Sequence, residues 1–404
     1  MSILLKKSQI PSPKSQVKEK RLETLDLELG TYPDLEPGTH DEPQPLAPAR
    51  WRWQDVRRVL VVRLRSIGDT VLATPSLRAL RRFLPEAEID ILLEDWVAPI
   101  LEGFPHVNRI ITVERGNLAG RARVAKELRG ARYDVAFNLH GGTTSTILTR
   151  ASGARHRVGY SSYRYSRLYN HAAPPANELW GKAATHSVEQ QLALLGWTGV
   201  PVSDRPPTHL AVTAEASKSI DEKLRAEGIG ESAPFALFHP AAAFETKQWA
   251  AEKFARVAEA LDARGLGIVS VAAPSEAETI NALRKHSSVN IKSFTDLRLP
   301  EVTALAARSC LFVGNDSGIA HIASAVNIPA VVIFGSSNVR HWHPWANPLS
   351  EVVREELPCQ PCPGYTCAEF DQPECIRRVR VESVLQAIER VMEKAISNQQ
   401  SAIS

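Results

Sequence analysis

Two series of short apolar runs alternate with amphipathic stretches along this chain, and the alternation predicts its class. Val59-Leu60-Val61-Val62 is an unbroken apolar run, the texture of a strand buried on both faces. Ile89-Asp90-Ile91-Leu92-Leu93 reads as the next strand, with further strands expected at 109–113 and 134–139. Between them the spacing of apolar positions predicts helices over 69–83, 96–103 and 119–129, the last rich in Arg and Lys. A second series opens with Phe235-Ala236-Leu237-Phe238 and continues with strands at 267–272, 311–313 and 330–334. Its helices are expected at 250–263, 275–286 and 318–326, with a last one over 381–395. Such alternation gives parallel sheets with helices on both faces.

The pattern fails in two places. Residues 1–50 are rich in Pro, Glu, Lys and Ser, and such a segment cannot bury enough apolar surface to offset its ordering entropy. A helix over 18–29 is the one regular element the pattern allows there. Prolines recur between 174 and 207 around an expected helix at 186–195, which marks the interdomain region. The expected organisation is therefore α/β: a tail (1–50), a first Rossmann-like domain (51–205), a second Rossmann-like domain (206–380) and a C-terminal helix and tail (381–404). Two cores suit a chain of 404 residues, because one core rarely grows past about 250–300.

Composition narrows the function classes. A net charge of +3 gives no footprint for nucleic acid. No apolar run approaches the roughly 20 residues a bilayer requires, and Ile3-Leu4-Leu5 is too short for a secretion signal; the expected compartment is the cytoplasm. Four of five cysteines, Cys359, Cys362, Cys367 and Cys375, are separated by two, four and seven residues. A structural zinc or iron–sulfur site, packed thiols and a disulfide all remain open for them.

Ligands of open α/β sheets bind at strand carboxyl ends beside helix N-termini, and three such junctions carry chemistry here. After the first strand comes Arg65-Ser66-Ile67-Gly68-Asp69, in which Asp69 is either a helix cap or a general base for an acceptor hydroxyl. The loop has neither a dinucleotide-binding glycine pattern nor a P-loop. After the strand at 235–238 comes His239-Pro240 through Lys247-Gln248-Trp249, where Lys247 beside a helix start suits a diphosphate. After the strand at 311–313 comes Gly314-Asn315-Asp316-Ser317-Gly318-Ile319-Ala320-His321, which gathers a carboxylate, a hydroxyl and an open backbone at one strand end.

Together these junctions resemble glycosyltransferase family 9, the bacterial heptosyltransferases of lipopolysaccharide core assembly, over residues 59–391. Gly68-Asp69 through Pro75 is similar to the family's amino-terminal motif G-D-x-x-x-x-x-P, and Asp316-Ser317-Gly318 through His321 to its D-[ST]-G-x-x-H motif. The resemblance implies the GT-B fold, two Rossmann-like domains whose parallel sheets face each other across a cleft, with the acceptor bound to the first (51–205) and the nucleotide sugar to the second (206–380). It implies an inverting, metal-independent transfer of heptose or a related sugar from an ADP-sugar to an anionic glycolipid. Asp69 would be the base and Lys247 would neutralise the leaving diphosphate. Asp316, Ser317, Gly318 and His321 would surround the donor, and Glu276 would reach its ribose or base. The chain departs from the pattern at Ala241-Ala242-Ala243, where many members have glycine and a hydroxyl before the lysine.

Arg155, Arg157, Arg164 and Arg167 alternate with Tyr160, Tyr163, Tyr165 and Tyr169. This basic aromatic stretch is either a solvated loop or an acceptor-binding contact for a phosphorylated glycolipid at the inner membrane face, a peripheral membrane contact. Two rival readings stand beside the transferase: a GT-B sugar-nucleotide epimerase or hydrolase, and a non-catalytic scaffold built on a metal site at the cysteines.

Overall fold

The computed structural model describes residues 42–362 and 365–403; the expected helix at 18–29 and most of the expected tail lie outside them. Strands β1 (Arg58–Val62), β2 (Glu88–Glu94), β3 (Arg109–Val113), β4 (Val135–Asn138), β5 (His156–Tyr160) and β6 (His171–Ala173) form one sheet in the order β3-β2-β1-β4-β5-β6. Strands β7 (Phe235–His239), β8 (Gly267–Val271), β9 (Ile291–Phe294), β10 (Leu311–Asn315), β11 (Ala330–Phe334) and β12 (Ser350–Arg354) form a second, β12-β11-β10-β7-β8-β9. Every pairing is parallel. Each sheet has the doubly wound order in which the chain reverses direction between its first and fourth strands.

Helices α1 (Ile67–Val71), α2 (Thr74–Phe83), α3 (Leu118–Ala131), α4 (Thr143–Ala151), α5 (Ala176–Trp180) and α6 (Ser187–Gly196) accompany the first sheet. Helices α7 (Ala214–Ala226), α8 (Ala251–Asp262), α9 (Ala277–His286), α10 (Leu299–Arg308), α11 (Gly318–Ala325), α12 (Val339–Trp342), α13 (Glu374–Arg377) and α14 (Val381–Ile403) follow. The strands are apolar because both their faces are covered: Val59 to Val62 and Phe235 to Phe238 are fully buried. One apolar cluster runs continuously from Leu77 and Leu192 in the first domain to Leu237 and Phe312 in the second. The two sheets thus share a packed seam as well as a cleft.

Four expectations change. The helix expected over 69–83 is two, α1 and α2, because Pro75 stands in the first turn of α2, and proline can start a helix but not continue one. The expected 96–103 helix is a single 3₁₀ turn, Ala98–Leu101. The tail is shorter than expected, since Leu46 and Ala47 donate backbone hydrogen bonds to Gly196 O at 3.0 and 3.2 Å. A Cβ on Gly196 would lie 2.7 Å from Leu46 Cγ, so glycine permits that approach. Helix α14 is no separate appendage: Val384, Ile388 and Val391 pack into the core of the second sheet with Phe238 and Trp249.

Candidate active site

The reversal points of the two sheets set the site. Between β1 and β4 the carboxyl ends lead to Asp69 and His140; between β7 and β10 they lead to Lys247 and Asp316. Chain reversal leaves a crevice at such points because the two flanking connections go to opposite faces.

Asp69 is not the helix cap. Ser66 holds that position, and Asp69, in the first turn of α1, reaches back so that the Ser66 N–H and hydroxyl both donate to Oδ2 at 3.2 Å. Its other oxygen, Oδ1, pairs with the Arg63 guanidinium. Arg63 is itself 8% exposed and donates to Leu139 O at 2.9 Å and to Asp69 O at 3.4 Å. The carboxylate is therefore held at a defined angle by two neighbours on its own loop.

On the second sheet, Lys247 ends a 3₁₀ turn, Glu245–Lys247, and its ammonium donates to Asp316 Oδ2 at 2.8 Å. The Ser337 hydroxyl donates to the same oxygen. Ser317 caps α11 with its hydroxyl buried and without a partner, and Gly318 opens the helix with a free backbone N–H. Glu276 follows β8 in the turn Pro274–Glu276, and its Oε2 accepts from Ala273 N–H at 2.9 Å. Asp316, Lys247 and Glu276 thus follow three adjacent strands, β10, β7 and β8.

Two glycines bring the halves together. A Cβ on Gly68 would lie 2.7 Å from His321 Cδ2, and one on Gly318 would lie 2.9 Å from Ile67 Cβ. The starts of α1 and α11 therefore meet backbone to backbone, with His321 between them. Burial drives the His321 imidazole below its ordinary value, while Asp316 and Asp69 pull it up and Lys247 pulls it down. One buried ring feels all three groups, so Asp69, Lys247 and Asp316 lie around the same cleft floor.

Beside Asp69 opens a cavity of about 290 Å³, lined among others by Arg63, His140, Tyr163, Gln191 and Trp342. Of these, the sequence pointed to Tyr163, through the basic aromatic stretch, and to Trp342, in the 341–345 run that reads as candidate cleft lining, but not to Arg63, His140 or Gln191. Arg63 had a readable signal, being an arginine directly behind a buried apolar strand; Gln191 comes from a distant element and had none. The acceptor-binding arginines fall elsewhere. Arg155 and Arg157 stand at the amino end of β5, the sheet edge away from Asp69, because a strand rather than a loop occupies 156–160. Arg157 is spent on Ala154 O and Leu168 O at 2.7 and 3.2 Å, and Arg164 lies over the Tyr165 ring. None of the three lines the cavity.

Cys359, Cys362, Cys367 and Cys375 do converge, on a second cavity of about 190 Å³ that Thr246 and Ser336 also line. Burial and the nearby thiols of Cys359 and Cys367 push the Cys375 thiol upward. Among the described residues no three His, Cys, Asp or Glu side chains are grouped as a metal site. Of the three alternatives open for them, the described structure has free thiols lining one cavity, with no disulfide.

The profile of glycosyltransferase family 9 (heptosyltransferase) matches residues 121–371, more than half of the chain. The chain is a family 9 glycosyltransferase. Lipopolysaccharide heptosyltransferase 3 of Escherichia coli is 29% identical over 302 residues, covering 70% of this chain and 85% of that protein. A family 9 glycosyltransferase of Veillonella parvula superposes with a TM-score of 0.73 at 21% identity, covering 84% and 97% of the two chains. The E. coli ADP-heptose lipopolysaccharide heptosyltransferase II does so at 0.69 and 23%, covering 84% and 99%. The fold is the GT-B arrangement of these enzymes, and the family assignment displaces both the epimerase or hydrolase reading and the scaffold reading.

Proposed function

We propose that the protein transfers heptose from ADP-heptose to a lipopolysaccharide-core glycolipid, inverting the anomeric carbon. The observation that carries this reading is the backbone contact of Gly68 with the Gly318 region, which sets Asp69 opposite Lys247 and Asp316 around His321. The names of the relatives, which specify heptose, lipopolysaccharide and, for one, ADP-heptose, support the substrate pair.

In the proposed reaction an acceptor hydroxyl oxygen bonds to the anomeric carbon as the bond from that carbon to the diphosphate oxygen breaks. The hydroxyl proton passes to the Asp69 carboxylate, and ADP leaves with the bonding pair. The departing charge meets the Lys247 ammonium, the Ser317 hydroxyl and the free N–H groups at the start of α11. These supply the electrostatic stabilisation without a metal. Asp316 accepts from donor sugar hydroxyls once Lys247 turns toward phosphate, and Glu276, two strands away, accepts from the ribose or base. His321, kept neutral by burial, spaces the two halves without adding charge.

A lipid-linked acceptor places the enzyme peripherally at the cytoplasmic membrane face. No helix among the described residues is long and apolar enough to cross a membrane. The outer surface of α3 and α4 supports surface contact instead, with Arg123, Lys126, Arg129 and Arg150 exposed beside Leu118 (75% exposed) and Ile147 (54%). Nucleic acid has no place in this reading.

The test is mass-spectrometric: purified protein, ADP-heptose and a core glycolipid should give one added heptose per acceptor. Asp69→Asn should lower kcat at least ~100-fold, a general-base effect, with the protein still folded but its unfolding midpoint lowered, because buried Arg63 loses its counter-charge. Retained transfer by that variant would remove Asp69 as base, and turnover of UDP-sugars in place of ADP-heptose would overturn the donor.

A further inference from the structure

We propose that the cavity beside Asp69 recognises an uncharged sugar ring, so that the reacting unit of the acceptor carries hydroxyls and neither phosphate nor carboxylate. The inference rests on the assignment of Asp69 to the acceptor side of the cleft, and goes beyond it by naming what that side accepts.

Of the residues lining the cavity, only Arg63 and Asp69 carry formal charge at neutral pH, and they neutralise each other. The Arg63 charge is already matched: three of its five N–H groups go to the Asp69 carboxylate, Asp69 O and Leu139 O. The two imidazoles on the wall, His140 and His341, are held neutral. Burial brings His140 down to about 4, helped by Arg63, and burial also lowers His341. An anion entering this space would leave water, find no counter-ion and face the Asp69 carboxylate. Burying an unpaired charge is among the costliest events in a protein interior, so the cavity selects against it.

The remaining lining offers what hydroxyls need. Gln191 is 4% exposed, and its nitrogen donates to Leu72 O at 3.2 Å while its carbonyl oxygen has no partner. His140 Nδ1 is likewise buried without one. Both atoms are closed off within the wall; what a ligand's O–H groups meet are the neutral hydroxyl and amide groups of Ser162, Asn177, Thr185 and Gln190, which line the same cavity. The half-buried Trp342 indole gives an apolar face for ring C–H groups on the side contributed by the second domain. A volume of about 290 Å³ stands at the small end of the roughly 300–1,000 Å³ usual for ligand pockets. It holds one ring, not an oligosaccharide. Phosphates elsewhere on the glycolipid would lie outside the cavity.

Saturation-transfer NMR on the full chain tests this without donor or turnover, using a neutral methyl heptoside and its uronate and phosphate counterparts as probes. The neutral sugar should bind at least ~10-fold more tightly than either anion. Asn177→Arg places a cation on an exposed position of the lining without touching the core, and should bring the phosphate form to within ~3-fold of the neutral one. Equal or tighter binding of an anion to the unaltered protein overturns the proposal, as does absence of saturation transfer to all three. Failure of ADP-heptose turnover would not move these readouts, so the two readings fail separately.

Discussion

Gly68 and Gly318 act at the narrowest point of the molecule, where two helix starts touch and any side chain would act as a wedge. Gly68→Ala puts a methyl 2.7 Å from His321 Cδ2, and His321 is 5% exposed with nowhere to retreat. Overpacking of this kind costs about 1–3 kcal/mol, and here the strain is relieved by parting the domains. Gly68→Ala should therefore lower denaturant stability by that amount and reduce transfer at least ~10-fold, readable from paired unfolding curves and kcat measurements. Arg63 works on the other side of the same loop, as a positioning residue for Asp69. Arg63→Gln keeps a donor for Leu139 O but loses the ion pair. It should lower kcat ~10-fold with the donor KM unchanged, because Arg63 fixes the angle of the base and touches nothing near Lys247.

At the scale of elements, the donor loop is tied down from behind by the cysteine-rich segment, and the ties are not thiols. Ser336 N–H donates to Thr246 O at 3.1 Å and its hydroxyl to Thr246 Oγ1 at 2.8 Å, one residue before Lys247. Cys362 N–H in turn donates to Ser336 O at 2.9 Å, and the Gln360 side chain to Gly335 O at 2.5 Å. Loss of one such bond is about 0.5–1.5 kcal/mol. Gln360→Ala should thus raise the donor KM about 3- to 10-fold, whereas Cys362→Ser, which keeps the backbone bond, should leave it within twofold; steady-state kinetics on the two variants decides. Elements announced by apolar runs, such as β1, β2, β7 and β11, were legible in the sequence. Strands β5 and β12 were not, because their burial is partial and charged residues interrupt them. In the site, motif residues beside a strand end were legible by position. The cavity walls were legible only in part: the aromatic run holding Trp342 stood out, whereas Gln191 on α6 did not, because only the fold brings it to the cavity.

Across the whole molecule, the two domains are held by an apolar seam and by a histidine bridge that acid should break. Val188 N–H donates to His186 Nδ1 at 3.1 Å, which leaves the ring proton on Nε2 to bond His343 O, from the second domain, at 2.9 Å. The ring also stacks on Trp345, with centroids 4.6 Å apart. Burial first, then the neighbouring His343, brings His186 down to about 3 from the ordinary 6.5. The folded state therefore resists a proton that the unfolded chain takes up near 6.5. This stabilising contribution is complete above about 6.5 and is lost progressively as pH falls toward 3. His140, brought down to about 4, has the same sign. Between pH 6.5 and 5 most carboxylates are still ionised, so the loss of stability there belongs to buried histidines. The melting temperature should be flat from pH 8 to 7 and fall below 6.5. His186→Asn preserves one acceptor and one donor but cannot titrate. Its melting temperature should fall less steeply over that window, and equal slopes for the two proteins would show that the bridge is not what acid opens.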